Sequence, residues 1–157
     1  MSEILLDTCA LLWLGNGDTA LSPSALQVIG NADTVYVSPI SLWEVSNKCR
    51  QGKLVLSKPV REWFDKVCER HGLTALPLTN EIMIAAGELP EHHKDPADRM
   101  IIAAALNAGL QVVTADHNFP LYGVKTIKES PPQPQPRPQQ RGARYSAVRF
   151  LFIQKYN

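Results

Sequence analysis

The chain has 157 residues, of which 45% are hydrophobic and 20% are charged, and its formal net charge is +1. These values are ordinary for a globular protein of one domain, and they exclude the compositions typical of disordered or collagen-like chains. No apolar stretch reaches the length of a membrane span and no signal-peptide pattern follows Met1, so we expect a cytoplasmic protein without membrane contact. The three cysteines lack Cys-x-x-Cys spacing, which argues against disulfides and against a thiolate zinc site.

The net charge hides a split along the chain. Residues 1–128 carry eleven basic and fourteen acidic side chains, a net charge of −3, whereas residues 129–157 carry a net charge of +4. Because the larger part is mildly acidic, any binding of nucleic acid there would need a local basic patch or a metal ion.

Alternating strand-like and helical patterns run through residues 1–128. They predict five strands, over residues 3–7, 34–37, 73–78, 111–114 and 125–128. Between the strands they predict helices over residues 10–14, 22–29, 38–52, from 60 to Gly72, and 81–88, and a last helix that Asp95-Pro96 opens and that ends at residue 108. Such alternation indicates an α/β fold with a central parallel sheet covered by helices on both faces.

The composition changes after Glu129. Residues 130–141 hold five prolines and four glutamines, which is typical of a polyproline or disordered linker. Residues 145–156 are partly apolar and are compatible with an added strand, a docking peptide or an irregular, non-native tail. We therefore expect two parts, a folded domain over residues 1–128 and a Pro/Gln-rich linker with a basic tail over residues 129–157.

Four carboxylates stand at the ends of predicted strands or in the opening turns of apolar helices, namely Asp7, Glu44, Asp98 and Asp116. A parallel α/β sheet collects strand ends and helix starts along one crevice, so these side chains should meet there. No Lys or Arg is directly beside Asp7, Glu44 or Asp116 in the sequence, and crowded like charges need a cation to stay ionised. The pattern predicts a divalent metal site.

Neighbouring residues have simpler interpretations. Asp95 precedes Pro96 and is the natural N-cap, and Asp98 in the first turn would also be favoured by the helix dipole alone. The pair His92-His93 is interpreted as facing solvent or substrate rather than binding zinc. The phosphate-binding loop, the dinucleotide-binding glycine motif and the nucleophile-elbow motif are all absent from the sequence.

Four segments of the chain resemble the PIN-domain nucleases of bacterial toxin–antitoxin pairs, the VapC-type toxins. They are ILLDTCALLWL at residues 4–14, VYVSPISLWE at 35–44, ELPEHHKDPADRMIIAAA at 88–105 and VVTADHN at 112–118. The resemblance covers about residues 1–128. It departs from the pattern at Cys9, where the family usually has His, and in the residues after 129, since related chains usually end soon after the last strand.

The resemblance implies a PIN-like α/β/α sandwich and a Mg²⁺- or Mn²⁺-dependent endoribonuclease that cleaves RNA as a toxin. Carried over by position, Asp7, Glu44, Asp98 and Asp116 would hold the metal and Thr114 would be the hydroxyl residue that accompanies the last acid. Asp95 would cap a helix or support the site, and Arg99 would contact RNA phosphate or an antitoxin. The implied partners are RNA, a small antitoxin in the active-site groove and a second copy in a homodimer.

Two rival functions remain at this point. A non-catalytic PIN-fold module would bind RNA or a partner without cutting, although it would not need all four acids together. A phosphoryl-carrying enzyme or receiver domain would use Asp7, but the run Asp7-Thr8-Cys9 lacks the second Asp of an Asp-x-Asp motif.

Overall fold

The computed structural model describes residues 1–17 and 21–129 of the chain. The strands are β1 (Glu3–Leu6), β2 (Thr34–Val37), β3 (Leu73–Ala75), β4 (Gln111–Thr114) and β5 (Thr126–Lys128). The helices are α1 (Thr8–Asn16), α2 (Pro23–Asn31), α3 (Pro39–Arg50), α4 (Val60–His71), α5 (Asn80–Glu88) and α6 (Pro96–Ala108), and a short 3-10 turn covers Phe119–Tyr122.

All five strands form one parallel sheet in the order β3-β2-β1-β4-β5. The central strand β1 pairs with β2 on one side and β4 on the other, with Leu6 in register with both Val37 and Val113. Because the strands are parallel, the residues that follow these three positions leave the sheet at the same edge. The predicted α/β fold with a central parallel sheet is confirmed.

Strand residues point alternately to two hydrophobic layers. Ile4 and Leu6 face a core that includes Leu11 of α1, Val45 of α3 and Trp63 of α4. The opposite face packs against α5 and α6, as in a three-layer α/β/α sandwich; its buried residues include Leu5, Val112, Ile82, Ile101 and Phe119. Both faces of the sheet are therefore covered, which is what the continuous apolar strands require.

Helix starts follow the local cap signals in the sequence. Asp7, Ser22, Ser38, Thr79 and Asp95 each occupy an N-cap and accept a hydrogen bond from a backbone N–H one to three residues into the helix. Such caps satisfy backbone donors that have no partner within the helix.

The structure shortens one predicted strand and also describes the cysteines and the lengths of the helices. The strand predicted over residues 73–78 ends at Ala75, because Pro77 has no N–H for the ladder and β3 lies at the edge of the sheet. All three cysteines are free thiols. Within the described residues no helix is long and apolar enough to cross a bilayer. Of the predicted linker and tail over residues 129–157, Glu129 is buried against Ser22 and residues 130–157 lie outside the described residues, so the two-part organisation stays a prediction.

Candidate metal centre

The four predicted acids lie at the carboxyl edge of the sheet and are buried. Their exposed fractions are 2% for Asp7, 6% for Glu44, 2% for Asp98 and 7% for Asp116. Side chains of this kind are seldom buried unless they are paired or bind a metal ion. Their burial at one edge separates them from ordinary surface carboxylates.

Asp7 and Asp116 are joined through the hydroxyl group of Thr114. Asp7 follows β1 directly, and its Oδ1 accepts a hydrogen bond of 2.6 Å from the N–H of Ala10 as the cap of α1. Its Oδ2 accepts a hydrogen bond of 2.5 Å from Thr114 Oγ1. The same Oγ1 accepts the backbone N–H of Asp116 at 3.0 Å. One buried hydroxyl thus connects the ends of β1 and β4.

Glu44 enters the site from the second turn of α3. One carboxylate oxygen each from Glu44, Asp95 and Asp98 lie within 4.8 Å of one another. Lys48, one turn further along α3, places its Nζ at 3.2 Å from Glu44 Oε1. Lys48 is four residues from Glu44, so it is not among the adjacent residues in the sequence. Four residues is nevertheless the ordinary spacing of an ion pair on a helix.

Asp95 and Asp98 have different positions in the first turn of α6. Asp95 caps the helix, and its Oδ1 accepts the N–H groups of Ala97 at 2.9 Å and Asp98 at 3.4 Å. Asp98 turns into the buried cluster instead. The prediction that Asp95 is the cap is therefore confirmed by geometry, while Asp95 also lies close enough to support the cluster.

His93 lies between two of the acids. Its Nε2 is 3.1 Å from Asp98 Oδ2 and 2.7 Å from Asp116 Oδ2, and its side chain is 10% exposed. The hydrogen bond to Asp98 raises the pKa of His93 to about 9, helped by Asp116 and opposed by burial. On the other side of the ring, the backbone N–H of Asp95 donates to Nδ1 at 3.1 Å. A proton added at Nδ1 would face this N–H.

The donor set suits a hard divalent cation. Besides the group around Glu44, one ligand atom each from His93, Asp98 and Asp116 lie within 4.8 Å of one another. Carboxylate oxygens are the ligands that Mg²⁺ and Mn²⁺ favour, and both ions retain water ligands when only a few carboxylates hold them. In the part of the chain that the structure describes, Lys48 and His93 are recorded against these four acids, and a divalent ion would neutralise further negative charge there.

The model of the PIN domain family matches residues 4–125, most of the chain. The chain belongs to the PIN-domain family. This match spans every element of the described sheet up to the start of β5, and it includes all four buried acids.

Two kinds of relatives agree with this assignment. Ribonuclease VapC22 of Mycobacterium tuberculosis is 32% identical over 120 residues, which cover 76% of this chain and 91% of that protein. The VapBC2 structure from Rickettsia felis, bound to a DNA fragment from its promoter, has a TM-score of 0.62 at 15% identity and covers 82% of this chain and 99% of its own. A DNA-bound VapBC structure from Salmonella typhimurium has a TM-score of 0.59 at 20% identity and covers 82% of this chain and 98% of its own. The predicted resemblance to VapC-type PIN domains is confirmed.

Arg99 has a different environment from the one expected of a contact to RNA or an antitoxin. Its five N–H groups donate to five backbone carbonyls, those of Ala86, Gly87, Leu89, Pro90 and His93. Every donor of the guanidinium is thereby used, so contact with phosphate would require some of these bonds to break. In this PIN domain Arg99 fastens the end of α5 and the following loop to α6.

Two residues of this PIN domain's site were missed by sequence reasoning. Lys48 could have been found from its helical spacing to Glu44. His93 was interpreted as facing solvent or substrate, and the structure places it against Asp98 and Asp116 instead. Its position two residues before the cap of an acid-bearing helix was the available signal, because helix starts face the same crevice as strand ends.

Proposed function

We propose that this PIN domain is a metal-dependent endoribonuclease that acts as the toxin of a toxin–antitoxin pair. The observation that carries the proposal is the convergence of four buried acids from separate elements, with Asp98 close to both Glu44 and Asp116 and with Asp7 connected to Asp116 through Thr114. The relative named Ribonuclease VapC22 supports RNA as the substrate, and the VapBC complexes support a toxin that pairs with an antitoxin.

The residues proposed to hold the metal are Asp7, Glu44, Asp98 and Asp116. A bound divalent ion supplies two things to phosphodiester hydrolysis, a water ligand of lowered pKa and neutralisation of charge on the phosphate. The all-oxygen carboxylate set favours Mg²⁺ or Mn²⁺ over softer metals. Thr114 orients Asp7 through its hydroxyl group, and Asp95 fixes the start of α6 and thereby the direction of Asp98.

The proposed RNA substrate and antitoxin would both bind at the edge of the sheet where the acids meet. The RNA backbone would enter where the acids meet, with Lys48 beside Glu44 as a cation able to receive a phosphate oxygen. A small antitoxin would occupy this groove and block it, and the domain would form a homodimer, as the family resemblance implies. Exclusion of RNA by an antitoxin peptide would inhibit the enzyme without unfolding it.

The test is cleavage of purified total RNA by the purified chain with Mg²⁺ or Mn²⁺, followed by mapping of the new RNA ends. We expect discrete cleavage sites that disappear with a chelator and with Asp98→Asn. The matched control is Asp65→Asn, which removes the same charge from an exposed position on α4 and should cleave normally.

A non-catalytic RNA-binding module would give another result. It would bind RNA or a partner without producing new ends, and its Mn²⁺ affinity would not depend on Asp98. That combination would refute the nuclease proposal.

A further inference from the structure

The imidazole of His93 is the best-defined group at the site that the carboxylate pattern does not include. Its Nε2 is within hydrogen-bond distance of Oδ2 of both Asp98 and Asp116, which belong to α6 and to the loop after β4. The ring also meets Phe119 edge to face, with centroids 6.5 Å apart. Contacts on two sides of the ring leave it little freedom to turn.

The hydrogen bonds determine which ring nitrogen carries hydrogen. The N–H of Asp95 donates to Nδ1, and a nitrogen that accepts has no hydrogen in the neutral ring. The hydrogen is then on Nε2, which donates to Asp116 Oδ2 at 2.7 Å and lies 3.1 Å from Asp98 Oδ2.

This assignment matters because a metal ligand must present a lone pair. The arrangement that would free Nε2 requires hydrogen on Nδ1, directly against the N–H of Asp95. That N–H is held in place since Asp95 is the cap of α6 and its side chain accepts from Ala97 and Asp98. Proximity alone would make His93 a third ligand beside Asp98 and Asp116, but the direction of its hydrogen bonds argues against it.

We propose that His93 is a positioning residue, whose Nε2–H holds the carboxylates of Asp98 and Asp116 together for the cation without binding that cation. The proposal rests on the metal-dependent function argued above. A carboxylate oxygen has two lone pairs, so Asp116 Oδ2 can accept the N–H and still face a metal ion, while the partial positive charge of the same N–H attracts Asp98 Oδ2 at 3.1 Å. Without this donor the two carboxylates would repel each other and separate.

Metal affinity measured without RNA tests the positioning role. Groups that hydrogen-bond to metal-binding carboxylates typically change metal affinity by about 10–100-fold when removed, and we expect this loss for His93→Ala. His93→Gln keeps an N–H donor at a similar reach and should recover most of the Mn²⁺ affinity in calorimetry. His92→Ala is the matched control, because His92 is exposed and only its contact with the ring of Tyr122 is lost.

Two spectroscopic measurements on the unsubstituted chain separate positioning from ligation. Nitrogen-15 NMR should show hydrogen on Nε2 of His93. Pulsed EPR of the Mn²⁺-loaded protein should show the same nitrogen coupling to the metal as pulsed EPR of His93→Gln, because the His93 ring does not bind the ion. These measurements decide the question even if His93→Ala fails to fold.

Any of three results would overturn the proposal: a directly coordinated nitrogen from His93, unchanged Mn²⁺ affinity in folded His93→Ala, or no recovery in His93→Gln. Failure of the nuclease proposal looks different. It would appear as intact Mn²⁺ binding without RNA cleavage by the unsubstituted protein, and it would leave the role of His93 in metal binding standing.

Discussion

Replacing Thr114 by Val removes one hydroxyl group and almost nothing else, since the two side chains have nearly the same shape. Thr114 is 1% exposed, and its hydroxyl donates to Asp7 while accepting the N–H of Asp116. The variant should therefore lose stability and metal affinity together, because the same hydroxyl connects two of the proposed metal-binding residues.

The expected loss of stability follows from the two hydrogen bonds. A hydrogen bond to a charged group contributes about 1.5–3 kcal/mol, and a buried N–H left without its acceptor costs about 1–3 kcal/mol. We take roughly 3 kcal/mol for Thr114→Val, near the lower end of the sum, because water can partly replace the lost partners. For a domain of this size that corresponds to a fall in melting temperature on the order of 10 °C.

Thr114→Ser is the control, since it keeps the hydroxyl and removes only a methyl group, at about 1 kcal/mol. Thermal melting of the metal-free proteins and calorimetry with Mn²⁺ would compare the two. The Val variant should melt lower and bind Mn²⁺ more weakly than the Ser variant. Equal melting of the two variants, or a more stable Val variant, would show that the hydroxyl does not organise the site.

Further substitutions test the other assignments. Asp98→Asn should weaken Mn²⁺ binding, whereas Asp95→Ala should mainly lower the free energy of unfolding, by about 0.5–2 kcal/mol, through the lost cap; calorimetry and melting of both variants would expose a reversed assignment. Gly15→Ala should lower the free energy of unfolding by about 1–3 kcal/mol, because the added Cβ would lie 2.6 Å from Trp63 Cζ2. Gly30→Ala has open space around the added Cβ and should raise the free energy of unfolding by about 0.5–1 kcal/mol in the same melting experiment. A chain cut after Glu129 should melt like the full chain. Glu129→Ala should lower the melting temperature, because the buried carboxylate accepts from the N–H and the hydroxyl of Ser22 at 2.7 and 2.8 Å.

Local signals in the sequence predicted much of the fold. Ser38-Pro39 and Asp95-Pro96 placed two helix starts correctly, because an N-cap depends on residues within one turn. Short apolar runs before Asp7 and Asp116 indicate that a strand ends at each of these positions. Parallel pairing brings these strand ends to one edge, and this is why the sequence alone predicts that the acids meet.

What the sequence could not provide was the direction of side chains in the loops and around the helices. Whether His93 faces solvent or Asp98 depends on how the loop before α6 folds back, and no periodic pattern records that path. Arg99 shows the same limit, since its charge suggested a surface contact while its five carbonyl acceptors lie in segments up to 13 residues earlier in the chain. Helix ends also differ from the prediction, since α1 runs on to Asn16 instead of ending at residue 14, whereas α3 ends at Arg50 instead of residue 52.

The order of the strands has a consequence for how the protein is synthesised. Its central strand is made first, but β4, which pairs with it and leads into Asp116, comes more than a hundred residues later. A nascent chain that has emerged only through α5 contains Asp7 and Glu44 but neither Asp98 nor Asp116. Such a chain lacks two of the four residues of the proposed metal site, so we expect a ribosome making this protein to carry an inactive polypeptide until nearly the whole sheet has emerged. Nuclease activity would thus begin only when folding is complete, at the same stage at which an antitoxin that recognises the assembled acids could first bind.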